Sequence, residues 1–336
     1  MRTPASLLVS TKLLRAYALV LVAGCAASGT GFDSDADGGA SDGGSSGQSS
    51  GFGGSSGLPK EDASKPEKTL LYAHTDTSLF ELDPENVNAA PVALGDFDCV
   101  SGSGGDAMTD IGVTKAGKIY GVSQTAAYPL SLQTGKVHCD DTWTLPSGSR
   151  FYGLTVAPEN TVAKEEVLIA VNVAGELYQV DANTGRTTQV GTLGKDSKGE
   201  PFQLSGDVVF LANKGNPIGF ATVRTCPKNG TCSAVDTLIE VNVAAVKPGT
   251  QSVLKGVRGT INKGSWCGNA ASPKEFGSLY GIAAYQEKVF GFSRAGEIVE
   301  IRTSDSSACL VSTITGSKFA GAGVTTSAPV IAPQPK

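Results

Sequence analysis

Thr109-Asp110-Ile111-Gly112-Val113, a turn at Lys115-Ala116-Gly117, then Lys118-Ile119-Tyr120-Gly121-Val122: this stretch decides how the chain is read. A third run, Tyr128 to Gln133, ends in Thr134-Gly135, and a fourth covers Val137 to Leu145. Short β-branched and aromatic runs bounded by Gly and polar turns read as strands. The same cassette recurs. Its first segments align as Thr109 to Val113, Tyr152 to Val156, Ser205 to Val209, Tyr280 to Ala284 and Ala320 to Val324. Second segments are Leu70 to His74, Lys118 to Ser123, Val167 to Val171, Ile218 to Val223 and Lys288 to Ser293. Third segments begin at Ser78, Tyr128, Glu176, Thr237 and Glu297, and fourth segments at Pro91, Val137, Thr187, Gln251 and Ser307. Small residues crowd the first segment, where strands would meet near an axis.

The ends of the repeat array predict closure. The N-terminal cassette lacks a first segment, and the last cassette, Phe319 to Thr326, is only a first segment. Joined, they make one unit and remove a free sheet edge. Four strands per unit, closed by a split unit, resembles a β-propeller. The run Tyr178-Gln179-Val180-Asp181-Ala182-Asn183-Thr184-Gly185 resembles the third strand and turn of quinoprotein-like and NHL-like propellers. The expectation is an all-β, five-bladed propeller over residues 69–330 with a short tail at 331–336. Insertions at Thr225–Ser233 and Val257–Phe276 leave six blades open if the second hides strands, and a β-sandwich is the rival architecture.

Residues 1–25 have the form of an export signal: Arg2, Lys12 and Arg15, then an apolar run from Ala16 to Ala23 too short to span a bilayer. Leu21-Val22-Ala23-Gly24-Cys25 resembles the lipobox of bacterial lipoproteins. The resemblance implies that Cys25 becomes an acylated first residue, with palmitate-like chains anchoring the protein to the membrane. Ala26 after the Cys implies the cell outer membrane. Residues 26–68 are rich in Gly, Ser and Asp and read as a disordered tether.

Several motifs fail on context. Asp33-Ser34-Asp35-Ala36-Asp37-Gly38 begins like a calcium loop but has Gly44 where the bidentate Glu belongs. Gly43-Gly44-Ser45-Ser46-Gly47 fits G-x-S-x-G without a preceding strand. Gly112 to Lys118 nearly spells a P-loop, but Ile119 replaces the Ser or Thr. The net charge of −5 argues against a nucleic-acid groove.

Beyond Cys25 there are six cysteines, an even count that in an exported chain reads as disulfides. Spacing pairs Cys226 with Cys232, and the near-equal offsets pair Cys99 with Cys139 and Cys267 with Cys309; a zinc site is the rival reading. The two histidines, His74 and His138, fall outside the first segments, so no base stands ready for a nucleophile. The expected site is the channel mouth where first segments begin: Asp110, Arg150, Tyr152, Asp207 and Tyr280, with Trp266 on the inserted loop. Asp110 and Asp207 could share a metal such as Ca2+, and the aromatics could stack on a glycan. Equally, the aspartates could cap backbone amides and the tyrosines could be core. The expected function is a non-catalytic module binding a protein or glycan ligand. The alternative is an enzyme, either a cation-dependent hydrolase or lactonase, or a quinone-type oxidoreductase.

Overall fold

The structure, a computed structural model, describes residues 68–102, 107–227, 230–268 and 272–330. The signal, lipobox, tether, calcium-like loop and C-terminal tail expected from the sequence lie outside them, apart from Lys68. The described chain is all-β, with two four-stranded sheets, one of five strands and one of nine.

In the first unit, β1 (Leu71–His74), β2 (Ser78–Leu82) and β3 (Val92–Phe97) form a meander. The second unit contains β4 (Asp110–Val113), β5 (Ile119–Val122), β6 (Ala126–Gln133) and β7 (Lys136–Cys139), with β8 (Trp143–Thr144) added against β6. The third is β9 (Phe151–Ala157), β10 (Val167–Asn172), β11 (Glu176–Val180) and β12 (Thr187–Thr192). The fourth is β13 (Phe202–Leu211), β14 (Ile218–Thr225), β15 (Thr237–Val241) and β16 (Leu254–Thr260). β17 (Asn262–Lys263) crosses to the outer edge of the fifth unit, which holds β18 (Leu279–Tyr285), β19 (Lys288–Ser293), β20 (Glu297–Arg302) and β21 (Ser307–Thr313). The last strand, β22 (Gly321–Val324), returns to pair antiparallel with β1, Leu71 opposite Val324 and His74 opposite Gly321.

The cassette boundaries and the closing strand thus lie where the sequence puts them. Three features differ, the first being that the segment read as one run from Val137 to Leu145 divides into β7 and β8. The fourth strand of the fourth unit begins at Leu254, three residues after Gln251, and runs through Val257 to Thr260, so the expected insertion starts at Ile261, four residues later than read. That insertion contributes only β17, which belongs to the fifth sheet; the described residues hold no sixth unit. In addition, β3 and β7 pair in parallel at Asp96–Lys136 and Phe97–Val137, joining the first two units into one nine-stranded sheet. That sheet nearly closes on itself, because its end strands β22 and β4 meet through a parallel Val113–Thr325 bridge.

The inner strands explain why small residues fill the first segments. A Cβ on Gly112 of β4 would meet Thr155 of β9 at 3.3 Å, and one on Gly153 of β9 would meet Leu204 of β13 at 2.9 Å. A Cβ on Gly206 of β13 would come within 1.7 Å of the Leu279 carbonyl of β18. On Gly281 of β18 it would strike the Gly321–Ala322 backbone at 2.4–2.5 Å, and on Gly323 of β22 it would reach the Ile111 carbonyl of β4 at 2.8 Å. The five inner strands therefore succeed one another in a circuit, with backbones at contact distance at every junction except β9–β13, where the Leu204 side chain fills the gap.

Between sheets, large apolar side chains fill the core. Phe292 meets Phe319 edge-on at 5.5 Å, Phe151 meets Tyr178 at 5.5 Å, and Tyr120 stacks on Trp143 at 6.2 Å. Each such burial contributes roughly 1.5–3 kcal/mol. The turn after β11 follows its composition. Asp181 Oδ1 accepts the Asn183 and Thr184 amides, and Gly185 supplies φ +68° against Trp143.

All three cysteine pairings hold: Cys99–Cys139, Cys226–Cys232 and Cys267–Cys309. The first ties the segment after β3 to the end of β7, and the last ties the inserted loop to β21. Three disulfides indicate an oxidising, extracytoplasmic compartment. Among the described residues no helix is long and apolar enough to cross a membrane.

Candidate functional site

Inner strands cannot satisfy all their amides within their own sheets, and polar side chains close the gaps. Asp110 Oδ2 on β4 accepts the Leu154 amide of β9 at 2.5 Å. Thr109 donates to the Phe151 carbonyl at 3.0 Å, and Thr155 of β9 accepts the Phe210 amide of β13 at 3.0 Å. Asp207 Oδ2 on β13 accepts the Ile282 amide of β18 at 2.8 Å, while its Oδ1 accepts the Val208 amide. Asp236 adds a further tie, accepting the Leu279 amide at 2.9 Å with Arg224 at 3.5 Å from its other oxygen. These carboxylates are latches between neighbouring strands.

Asp110 and Asp207 do converge, as the sequence suggests, but fully inside: neither has exposed surface. Burial, then the charge of Asp207, raises the Asp110 carboxyl well above its usual range. Burial likewise pushes Asp207 up to about 7. Each carboxyl lies within side-chain hydrogen-bonding reach of the other, a contact that needs a proton on one of them, and Asp110 Oδ1 has no other partner.

His74, which the sequence places on a second segment away from the axis, is the third member. Its burial agrees with a packed residue on a second segment, whereas its closeness to Asp110 was not foreseen. β1 pairs directly with the inner strand β22, so its last residue reaches the axis opposite Gly321. There His74 is fully buried, donates from Nδ1 to the Thr75 carbonyl at 2.7 Å, and leaves Nε2 without a partner. A Cβ on Gly321 would lie 2.2 Å from His74 Nε2 and 2.6 Å from Asp110 Oδ1. Burial lowers the imidazole to about 4, so the ring is neutral at pH 7. Among the described residues no group of three His, Cys, Asp or Glu is arranged to hold a metal ion.

Above this buried set, where inner strands begin, Arg294 forks onto Asp76 through two bonds of 2.9 and 2.7 Å. Its guanidinium lies 5.2 Å from the Tyr280 ring centre, and Tyr152 is close enough to act on its charge. Tyr152 and Tyr280 thus stand half-buried about Arg294 and Asp76, which the sequence reading missed. The available signal was positional: both charges sit in the turn between second and third strands, in units that close the circuit side by side. Arg150 stands exposed beside them, with its carbonyl accepting the Val173 amide.

Trp266 does not join this mouth. Its indole donates to Ser307 Oγ at 2.8 Å, and Arg302 covers its ring at 4.3 Å. Arg302 pairs with Lys288 beside the β18–β19 turn, the end opposite Tyr280. The Cys267–Cys309 bridge holds the inserted loop against the outer strand β21, which keeps Trp266 off the axis.

At the far end of the circuit, where inner strands finish, lies a cavity of about 680 Å³. Its wall comes from the turns after β4, β9, β13 and β18 and from the segment after β22. Four non-glycine residues on it hold left-handed backbone: Asn160 (φ 60°), Asn213 (φ 39°), Lys214 (φ 51°) and Gln286 (φ 56°). Such conformations each cost about 1–3 kcal/mol and persist where surrounding structure imposes them. On the same wall, Glu166 accepts from Thr326 and from the Lys115 amide, tying the third unit to the closing segment and to the turn after β4. Burial raises its carboxyl. The sequence reading placed no residue here because it looked for function only where inner strands start.

No protein-family model matches this chain, and no curated protein does. A solved structure of a protein of unknown function from Bacteroides caccae is similar at 11% identity and a TM-score of 0.38, covering 76% of this chain and 98% of that one. At that score the likeness carries no functional argument.

Proposed function

We propose that this chain is a five-bladed β-propeller, lipid-anchored through Cys25 in a bacterial envelope, that binds a ligand without transforming it. The observation that carries the reading is the cavity at the finishing end of the inner strands. Its volume falls in the range of small-molecule sites, roughly 300–1,000 Å³. Its wall draws on every unit of the circuit, so a rigid framework holds the loops, as binding sites on scaffolds require. Pro158, Pro217, Tyr285 and Ala328 supply apolar surface, and Lys214 and Glu159 supply charge at the same rim. The ligand class is a partly apolar small molecule, or a side-chain cluster of a protein partner.

The enzyme alternative required Asp110 and Asp207 to meet a substrate or cation. Both are without exposed surface and both hold neighbouring amides, which favours the structural role. Ca2+ at that pair is not part of the proposal.

The test uses the full chain extracted from membranes. Intact mass of wild type against Cys25→Ser reads the acyl chains. Native mass spectrometry against panels of glycans, small amphiphiles and peptides reads binding. Ala212→Trp, which fills the cavity, is expected to abolish any binding found, and Tyr280→Ala at the opposite end to leave it intact. The reverse pattern would move the site to the starting end, and an unacylated mass would remove the anchor.

A further inference from the structure

We propose that the axis of this circuit is a proton-binding site: Asp110 and Asp207 keep one proton between them at neutral pH, and releasing it loosens the strands they latch.

The argument starts from donors. Asp207 receives two backbone amides, Val208 on one oxygen and Ile282 on the other. Both of its oxygens are therefore stabilised as an anion. Asp110 receives Leu154 on Oδ2, and its Oδ1 is buried with no partner. An ionised oxygen without a donor, away from water and facing a second carboxylate, is strongly disfavoured. A protonated Oδ1 is not, because it becomes a donor with two acceptors at hand. One is the Asp207 carboxylate. The other is His74 Nε2, whose lone pair is free because Nδ1–H is committed to the Thr75 carbonyl. The Gly321 Cβ position lies 2.2 Å from Nε2 and 2.6 Å from Oδ1, so those two atoms are less than about 5 Å apart. The group thus holds one acid proton, one carboxylate and one neutral imidazole.

The surroundings fix the direction of response. Asp76 and Arg294 face His74 from the β1–β2 and β19–β20 turns, with opposite effects on its charge. β9 and β18 supply the Leu154 and Ile282 amides, with Tyr152 and Tyr280 on the same strands acting on Arg294, and β22 presents Gly321, Ala322 and Gly323, which do not titrate. Among the described residues no cationic side chain is paired with Asp110 or Asp207 to replace the proton when it leaves. As pH rises, the Asp110–Asp207 proton passes to bulk solvent and leaves two facing carboxylates. Their repulsion acts on the β4–β9 and β13–β18 junctions at once.

Full-length protein labelled with 13C at the aspartate carboxyls tests this, with Asp110→Asn and Asp207→Asn for assignment. The expected result is that Asp207 is ionised at neutral pH while Asp110 stays protonated there, far above the ordinary acidic range, and releases its proton only at higher pH. Denaturant midpoints of wild type should fall between pH 5 and pH 8, and those of Asp110→Asn should fall less. Should Asp110→Asn fail to fold, the wild-type titration still decides. All aspartates titrating in the ordinary acidic range would overturn the proposal. So would stoichiometric divalent metal in the purified protein whose removal by chelator shifts the two carboxyl signals.

Discussion

Replacing Gly206 by Ala tests whether inner backbones really touch. Its added Cβ would sit 1.7 Å from the Leu279 carbonyl oxygen, 2.7 Å from the carbonyl carbon and 2.9 Å from Thr222 Oγ1. The first two are backbone atoms of a residue whose own amide is held by Asp236, so they cannot rotate away. β13 and β18 must separate, and overpacking of this kind destabilises by about 3 kcal/mol, the upper part of its usual range. For a domain of this size that lowers Tm by about 6–12 °C. With an m-value of roughly 3 kcal/mol/M in urea, the midpoint falls by about 1 M. Tryptophan fluorescence follows the transition, since Trp143 is buried against Tyr120. Gly256→Ala on the outer strand β16 is the control: its Cβ meets nothing within 4 Å, and the change should be neutral or stabilise by about 0.4–1 kcal/mol. Equal midpoints for Gly206→Ala and wild type would refute the close inner circuit.

Three more outcomes follow from the same structure. Replacing Cys99 and Cys139 by Ser opens a 40-residue loop and should lose about 4 kcal/mol, whereas Cys226 and Cys232 close six residues and their loss should remove about 2 kcal/mol, both read by urea unfolding. Arg224→Met leaves the fully buried Asp236 without its cation and should destabilise by about 3 kcal/mol; adding Asp236→Asn should recover part of it, and a double mutant as weak as the single would count against the pairing. His74 stays neutral down to about pH 4 when folded but takes a proton near 6.5 when unfolded. The unfolded chain therefore binds the extra proton, and stability drains away as pH falls from about 6.5 to 4, by up to about 3 kcal/mol. His74→Gln should flatten that acid limb in pH-dependent denaturation, and an unchanged limb would assign it elsewhere.

Strand positions, the closing strand and the disulfides could be read in advance because each depends on local pattern or spacing. Short apolar, β-branched and aromatic runs such as Leu70 to His74 or Glu297 to Arg302 mark a strand whatever its neighbours, and the matched offsets of Cys99–Cys139 and Cys267–Cys309 mirror one repeat. Asp110 and Asp207 could be placed near the axis because they stand in first segments. Their role could not, because it depends on which amide the next unit presents. The closeness of His74 to Asp110 was missed for the same reason: its surroundings come from β22, some 250 residues away in the chain. Trp266 sits on an insertion with no repeat to set its register, so only the disulfide to Cys309 shows which side it takes. The parallel β3–β7 pairing had no local signal at all, since it joins two units at strands that each look complete.

The clasp between first and last strands also sets a timetable. Leu70 and Thr325, which bond across it, are 255 positions apart. At about 5–20 residues per second, a ribosome finishes β22 roughly ten seconds to a minute after β1. Through that interval β1 has β2 on one side and nothing on the other, and the junctions of β22 with β18 and β4 cannot form. The native state is therefore reached late and nearly all at once, and the growing chain carries an unsatisfied strand edge for most of its birth. A holding factor that shields residues 71–74 during synthesis or export would raise the yield of this protein more than one that shields any later strand.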